Sequence, residues 1–159
     1  MDGSTRIGIA CQQEQFSREL VMECTPLLHA HYNEIAWLKE KIPLDPDYER
    51  YEAGAKAGVI RIFTARRDAD LVGYAIFIVQ PHLHYRQTMW AMNDILYVMA
   101  GIRGYAIGAK LLRFAEEKLR GDGVHVIGLH SKDAHNIGPL AARLGFERVE
   151  TNWLKWIGG

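Results

Sequence analysis

Apolar and polar positions along this chain repeat with two different spacings, and the switches between them mark the elements. Residues 6–11 form a short apolar-rich strand candidate. From Ser17, a natural helix cap, Glu19, Leu20, Glu23, Leu27, Leu28, Ile35 and Leu38 fit a long helical run. Pro26 interrupts that run, which predicts a kink or a split into two helices. Residues 41–46 read as a loop. Asp45 and Pro46 then supply a cap and first turn for a helix to about Ala57, with Gly58 as its stop. Three strands follow, at 59–65, 71–80 and 89–99. Residues 67–70 are the first connecting turn and 81–88 a loop. The 71–80 segment is nearly all apolar, which predicts a central strand. Residues 108–120 have amphipathic helical spacing, and 124–130 read as a strand. A short helix at 136–144 is stopped by Gly145. Residues 146–150 and 153–157 look like a closing hairpin. Three meandering strands followed by strand–helix–strand predict a mixed sheet in an α/β sandwich.

Composition narrows the setting. With 159 residues the chain is one domain, 1–159, able to bury about two-thirds of its unfolded surface. Hydrophobic residues at 48% and charged residues at 24% are ordinary for a globular protein. Lys+Arg and Asp+Glu number 19 each. That balance removes any general attraction to nucleic acid or anionic lipid. Cys11 and Cys24 form no CxxC pair and read as thiols of a reducing compartment. The first residues lack the basic and apolar regions of a signal peptide, and no apolar run approaches the ~18 residues of a membrane span. The expected location is the cytoplasm, with no membrane partner. The aromatic Trp153 and Trp156 near the end are compatible with a homodimer.

Chemistry concentrates in one segment. An apolar stretch ending Leu96-Tyr97-Val98-Met99 runs into Arg103-Gly104-Tyr105-Ala106-Ile107-Gly108, which opens the helix containing Ala109, Leu111 and Leu112. Unpaired N–H groups at a helix start, reinforced by the helix dipole, attract anions. Gly104, Ala106 and Gly108 keep side chains clear of phosphate oxygens, and Arg103 can add a charge-assisted contact. These six residues alone are equally compatible with an ordinary strand-to-helix connection. A Rossmann site would need G-x-G-x-x-G after the first strand of a repeated series, and a Walker loop would need GK[ST]; neither is present.

The segment resembles the signature of the GNAT acetyltransferase superfamily, an [RQ]-x-x-G-x-[GA] turn after a strand ending L-x-V. Arg103 takes its first place and Gly108 its last, while Ala106 stands where the central glycine is usual. Asn136 followed by Leu144-Gly145-Phe146 resembles the N…GF segment further on. The likeness runs from about Val59 to the C-terminus. Gly73-Tyr74, Pro81-His82-Leu83-His84-Tyr85 and Asn93-Asp94 look like small acetyltransferases of bacteriophages and prophages.

The resemblance implies the GNAT acyl-CoA N-acyltransferase fold, with a splayed central sheet flanked by helices. It implies acetyl-CoA as cofactor, its pantetheine arm lying in the splay along Leu96, Val98 and Met99. Backbone amides from Gly104 to Ala109 would hold the pyrophosphate and Asn136 the amide region. The acceptor would be a primary amine of a small molecule, peptide or protein. An alkyl ammonium has a pKa of about 10.4, so a proton must leave before attack. Asp94, four residues before Val98, is the candidate base; a carboxylate that caps a loop or pairs with an arginine is the structural alternative. The tyrosine that usually protonates the leaving thiolate is replaced by Ala141, which leaves Tyr97, Tyr105 or water for that role. Glu34, Tyr32 and Trp37 lie on the helical region that lines the acceptor groove in related proteins, where acidic and aromatic groups suit a cation. An ordinary helix surface with core anchors is the structural alternative, and the simpler one.

Seven histidines do not make a metal site: His29 and His31 face apart on a helix, His82 and His84 follow Pro81 in a loop, and no Cys or carboxylate completes a set. Two other readings remain open. One is a fold that holds acetyl-CoA without turnover; the other is a phage-type protein acting on a host factor.

Overall fold

The computed structural model describes residues 8–158, and of Gly104 and Tyr105 the backbone only. Its order is β1 (Ile9–Glu14), α1 (Arg18–Ile35), α2 (Tyr48–Lys56), β2 (Ile60–Arg67), β3 (Asp70–His82), β4 (Tyr85–Val98), a short 3-10 helix (Ala100–Tyr105), α3 (Ile107–Gly121), β5 (Val126–Gly128) and α4 (Gly138–Arg143). The five strands lie in the order β1-β2-β3-β4-β5. The first four pair antiparallel, and β4 pairs β5 in parallel after the α3 crossover. This is the mixed sheet flanked by helices that the patterning predicts.

Alternation along the strands sorts the core into two faces. Phe63, Val72, Ala75, Phe77, Ala91 and Val98 pack with Leu111, Leu112, Ala115 and Leu119 of α3. Tyr74 and Tyr97, opposite each other in register, face Leu27 of α1 with Leu71. Ser17 caps α1 by accepting the Leu20 N–H at 3.1 Å.

Several boundaries differ from the pattern, each for a physical reason. β1 ends at Glu14 rather than Cys11, because its whole length pairs with β2 from Ile9↔Arg67 to Glu14↔Ile62; Arg6 and Ile7 lie outside the described residues. Pro26 does not split α1, which runs unbroken. The carbonyl deprived of its donor belongs to Met22, whose residue is 75% exposed, so water can take that bond. The cap of α2 is Asp47, not Asp45; its carboxylate accepts the Arg50 N–H at 3.0 Å. Residues 81–88 are not a loop: β3 and β4 continue to a tight turn pairing His82 with Tyr85. Pro81 is tolerated there because β2 ends at Ile60↔Ile78. The Val79 N–H is the last on that side, bonding Val59 O at 2.7 Å, so the donor that Pro81 lacks would have pointed off an edge. No hairpin forms at 146–150 and 153–157. β5 is three residues long and offers no ladder for them, and Val149, Trp153, Leu154 and Ile157 are exposed.

Two features open the sheet at one end. Opposite Ile76–Phe77, β4 carries an extra residue: Ile76 pairs Ile95 and Phe77 pairs Asn93, so Asp94 is a bulge. The β4–β5 ladder extends only over Trp90–Met92, and beyond it β4 continues alone on that side.

Candidate functional site

A cavity of about 290 Å³ lies where β4 and β5 part. Its lining comes from five elements: His31 and Glu34 of α1; Leu96, Tyr97 and Val98 of β4; Arg103 of the 3-10 helix; Ala106, Gly108 and Ala109 at the start of α3; and residues from His135 to Arg143 around α4, among them Asn136 and Leu140. Most of the expected cofactor residues therefore converge on one opening.

The α3 end of the cavity presents an uncapped helix start. The Lys110 N–H bonds Ala106 O at 3.0 Å and closes the first turn of the helix. The amides of Ile107, Gly108 and Ala109 precede it and have no intrahelical acceptor. No side chain caps them, and the first turn has no acidic residue. Ala106 sits at φ 56°, ψ 23°, the left-handed region. An L-residue there costs roughly 1–2 kcal/mol relative to glycine's freedom, which explains why the family signature prefers glycine at this place. At Gly108 an added Cβ would lie 3.3 Å from Leu140 Cδ2, so α3 and α4 close over a position with little room for a side chain.

Along β4 the main chain supplies a free edge. The Met99 N–H donates to Val72 O at 2.9 Å, so it belongs to the ladder with β3, and Met99 is absent from the cavity wall. Alternation then turns the N–H groups of Leu96 and Val98 to the opposite edge, the one β5 leaves uncovered. The Val98 carbonyl on that edge is already engaged, accepting from Arg103 Nε at 2.9 Å.

Arg103 has a partner the sequence did not indicate. Its Nη1 and Nη2 donate to the two carboxylate oxygens of Glu34, each at 2.7 Å. Its guanidinium lies 5.3 Å from the centre of the Tyr97 ring. His135 Nδ1 stands 3.0 Å from Glu34 Oε1. The guanidinium holds the Glu34 carboxyl below the usual carboxylate range, and Glu34 in turn pushes Arg103 up. The expected phosphate contact and the expected acceptor carboxylate are thus bound to each other, fastening α1 to the turn. The Tyr32 hydroxyl is away from the cavity and donates to Ile42 O at 2.8 Å.

His31, one turn before Glu34 on the same helical face, borders the cavity with its ring 4.9 Å from that of Tyr97. Burial pushes its pKa down to about 4, with the Glu34 charge pulling the other way, so the imidazole is uncharged at neutral pH. Asp94 is exposed and lies outside the cavity wall. Its Oδ2 accepts the Tyr51 hydroxyl, and burial followed by the Asp94 bond pushes the Tyr51 pKa up. Asn136 Oδ1 accepts the Gly138 N–H at 2.8 Å at the start of α4. Ala141, on α4, brings no hydroxyl to the cavity. Tyr51 and His31 escape the sequence reading because their roles depend on a bulge and on helix packing. The i, i+3 spacing of His31 and Glu34 is the only local trace.

A strand, an uncapped helix start and a gap beside a parallel strand together match a known design. The Acetyltransferase (GNAT) family model matches residues 18–146. This chain belongs to the GNAT acetyltransferase family. An aminoalkylphosphonate N-acetyltransferase of Salmonella typhimurium is 28% identical to it over 130 residues, covering 74% of this chain and 84% of the relative. A GCN5-related N-acetyltransferase from Ralstonia eutropha superposes with a TM-score of 0.75 at 20% identity, over 95% of this chain and 100% of that one. A predicted acetyltransferase from Clostridium acetobutylicum, solved with acetyl-CoA, gives 0.69 at 12% identity, over 94% and 96%. At those identities the two structures show a shared GNAT fold. The GNAT family uses acetyl-CoA and catalyses acetyl transfer. No helix of the described residues is long and apolar enough to cross a membrane.

Proposed function

We propose that this acetyltransferase binds acetyl-CoA in the β4–β5 opening and acetylates the primary amine of a small molecule. The observation that carries the reading is the uncapped start of α3 at the mouth of the cavity, with the left-handed Ala106 and the confined Gly108 beside it. The amides of Ile107, Gly108 and Ala109 would hold the diphosphate, the free edge at Leu96 and Val98 the extended arm, and Asn136 its amide region. Acetyl-CoA supplies an acyl thioester with a thiolate leaving group. The N–H groups of Leu96 and Val98 would offer fixed dipoles to negative charge on an acyl oxygen.

The acceptor side follows from charge. Asp94 keeps one carboxylate oxygen free of the Tyr51 hydroxyl and would take the ammonium proton, directly or through water. His31 is uncharged and does not repel a cation approaching along α1. A small-molecule amine agrees with the Salmonella relative, an aminoalkylphosphonate N-acetyltransferase, and with a structural neighbour from a soil metagenome, an aminoglycoside acetyltransferase solved with sisomicin. Ala141 supports a second reading, a protein that holds acetyl-CoA with weak turnover.

Calorimetry with acetyl-CoA and thiol release across a panel of small amines test these readings. Binding with thiol release supports the enzyme. Binding with no release from any amine favours the second reading, and no binding defeats both. Asp94→Asn is expected to lower turnover at least ten-fold at neutral pH with the acetyl-CoA Kd within two-fold. Equal turnover across the pH range removes Asp94 from the reaction.

A further inference from the structure

The opening between β4 and β5 begins abruptly, and a side chain lies at the point where it begins. Met92↔Gly128 is the last pair of the parallel ladder. The Met92 side chain lies over Gly128 there: an added Cβ on Gly128 would collide with Met92 Sδ. One residue further along β4 is Asn93, 7% exposed, one of two buried polar residues within the described part of the chain. A buried carboxamide needs a partner. Asn93 Oδ1 accepts the main-chain N–H of His130 at 2.5 Å.

That bond has a geometric effect. His130 follows Gly128 by two residues, and a continuing ladder would give its N–H to the β4 main chain. The Asn93 side chain takes the donor instead, and a side chain interposed between two main chains keeps them further apart than the 4.7–4.9 Å of paired strands. The bulge at Asp94 begins at the next residue, and the cavity lined by Leu96, Tyr97 and Val98 follows. Without an acceptor at this place, the His130 N–H would be unsatisfied or would draw the strand onto β4.

We propose that Asn93 is a positioning residue, a wedge that satisfies the His130 amide and so fixes the width of the slot for the arm of acetyl-CoA. The proposal rests on the reading of that slot as the cofactor site. Asn93 is expected to act on cofactor affinity, not on the acetyl-transfer step. The Glu34–Arg103 pair and the Asp94–Tyr51 bond do not include Asn93.

The test compares Asn93→Leu, similar in size but unable to accept, with Asn93→Asp, which keeps the acceptor. Calorimetry reads the acetyl-CoA Kd, and kinetics separate KM from kcat. Asn93→Leu is expected to raise Kd and the acetyl-CoA KM about ten-fold with kcat and the amine KM within two-fold. Asn93→Asp should return Kd to within three-fold of the wild type. Equal weakening by both variants, or a wild-type Kd in Asn93→Leu, overturns the wedge while the cofactor reading stands. A wild-type protein that binds no acetyl-CoA overturns both. Should Asn93→Leu fail to fold, hydrogen exchange on the wild type decides: a His130 amide protected in the ligand-free protein supports the wedge, and a freely exchanging one overturns it.

Discussion

The three longest helices among the described residues begin in two different ways. α1 and α2 are closed by their own residues: Ser17 accepts the Leu20 N–H and Asp47 accepts the Arg50 N–H, with Glu19 and Glu49 adding negative charge to the first turns. α3 has neither a capping side chain nor an acid, and its N-cap is an alanine held in a left-handed conformation. The same physics, orphan amides and a positive dipole end, is satisfied internally in two cases and left available in the third. In the proposed reading, function resides in the omission. A cap on α3 would have stabilised the helix by about 1 kcal/mol and filled the place where an anion can bind.

Reversing that contrast at α3 should have the largest effect. Gly108→Glu places a carboxylate on the open end and a side chain against Leu140; acetyl-CoA binding is expected to fall more than 100-fold, roughly 2.7 kcal/mol or more. Calorimetry checks it, and near-normal affinity would mean the diphosphate lies elsewhere. Ser17→Ala should show the opposite profile, a loss of about 1 kcal/mol in denaturant stability with an unchanged Kd. A Kd that moves with Ser17 would blur the distinction between closed and open starts. The smallest change is expected from Ala106→Gly. Relief of the left-handed strain, partly offset by glycine's freedom in the unfolded chain, should raise stability by about 0.5 kcal/mol. A loss of stability would mean that the alanine methyl makes a compensating contact.

What could be read from sequence, and what could not, follows the same division between local and distant causes. Ser17, the amphipathic helix at 108–120 and the apolar β3 depend on neighbours in the chain, and they stand where the pattern puts them. The strand-to-helix turn at residues 103–108 is legible because it depends on consecutive residues. The Arg103–Glu34 clasp joins elements far apart in sequence, so the expectation assigned each residue to a ligand instead of to the other. The shortness of β5 and the extended β3–β4 hairpin depend on where a neighbouring strand stops. The left-handed Ala106 was visible as an odd residue in a glycine position, and the structure supplies the reason.

The register of β1 has a consequence for the order of folding. β2, β3 and β4 are joined by tight turns, so their ladders close short loops. Ile9 must find Arg67 across both α1 and α2. Closing that longer loop carries a larger entropic cost, so the three-strand meander should form first and β1 dock late. Ile9→Val should then speed unfolding and leave the refolding rate unchanged. Slower refolding in that variant would place β1 in the nucleus.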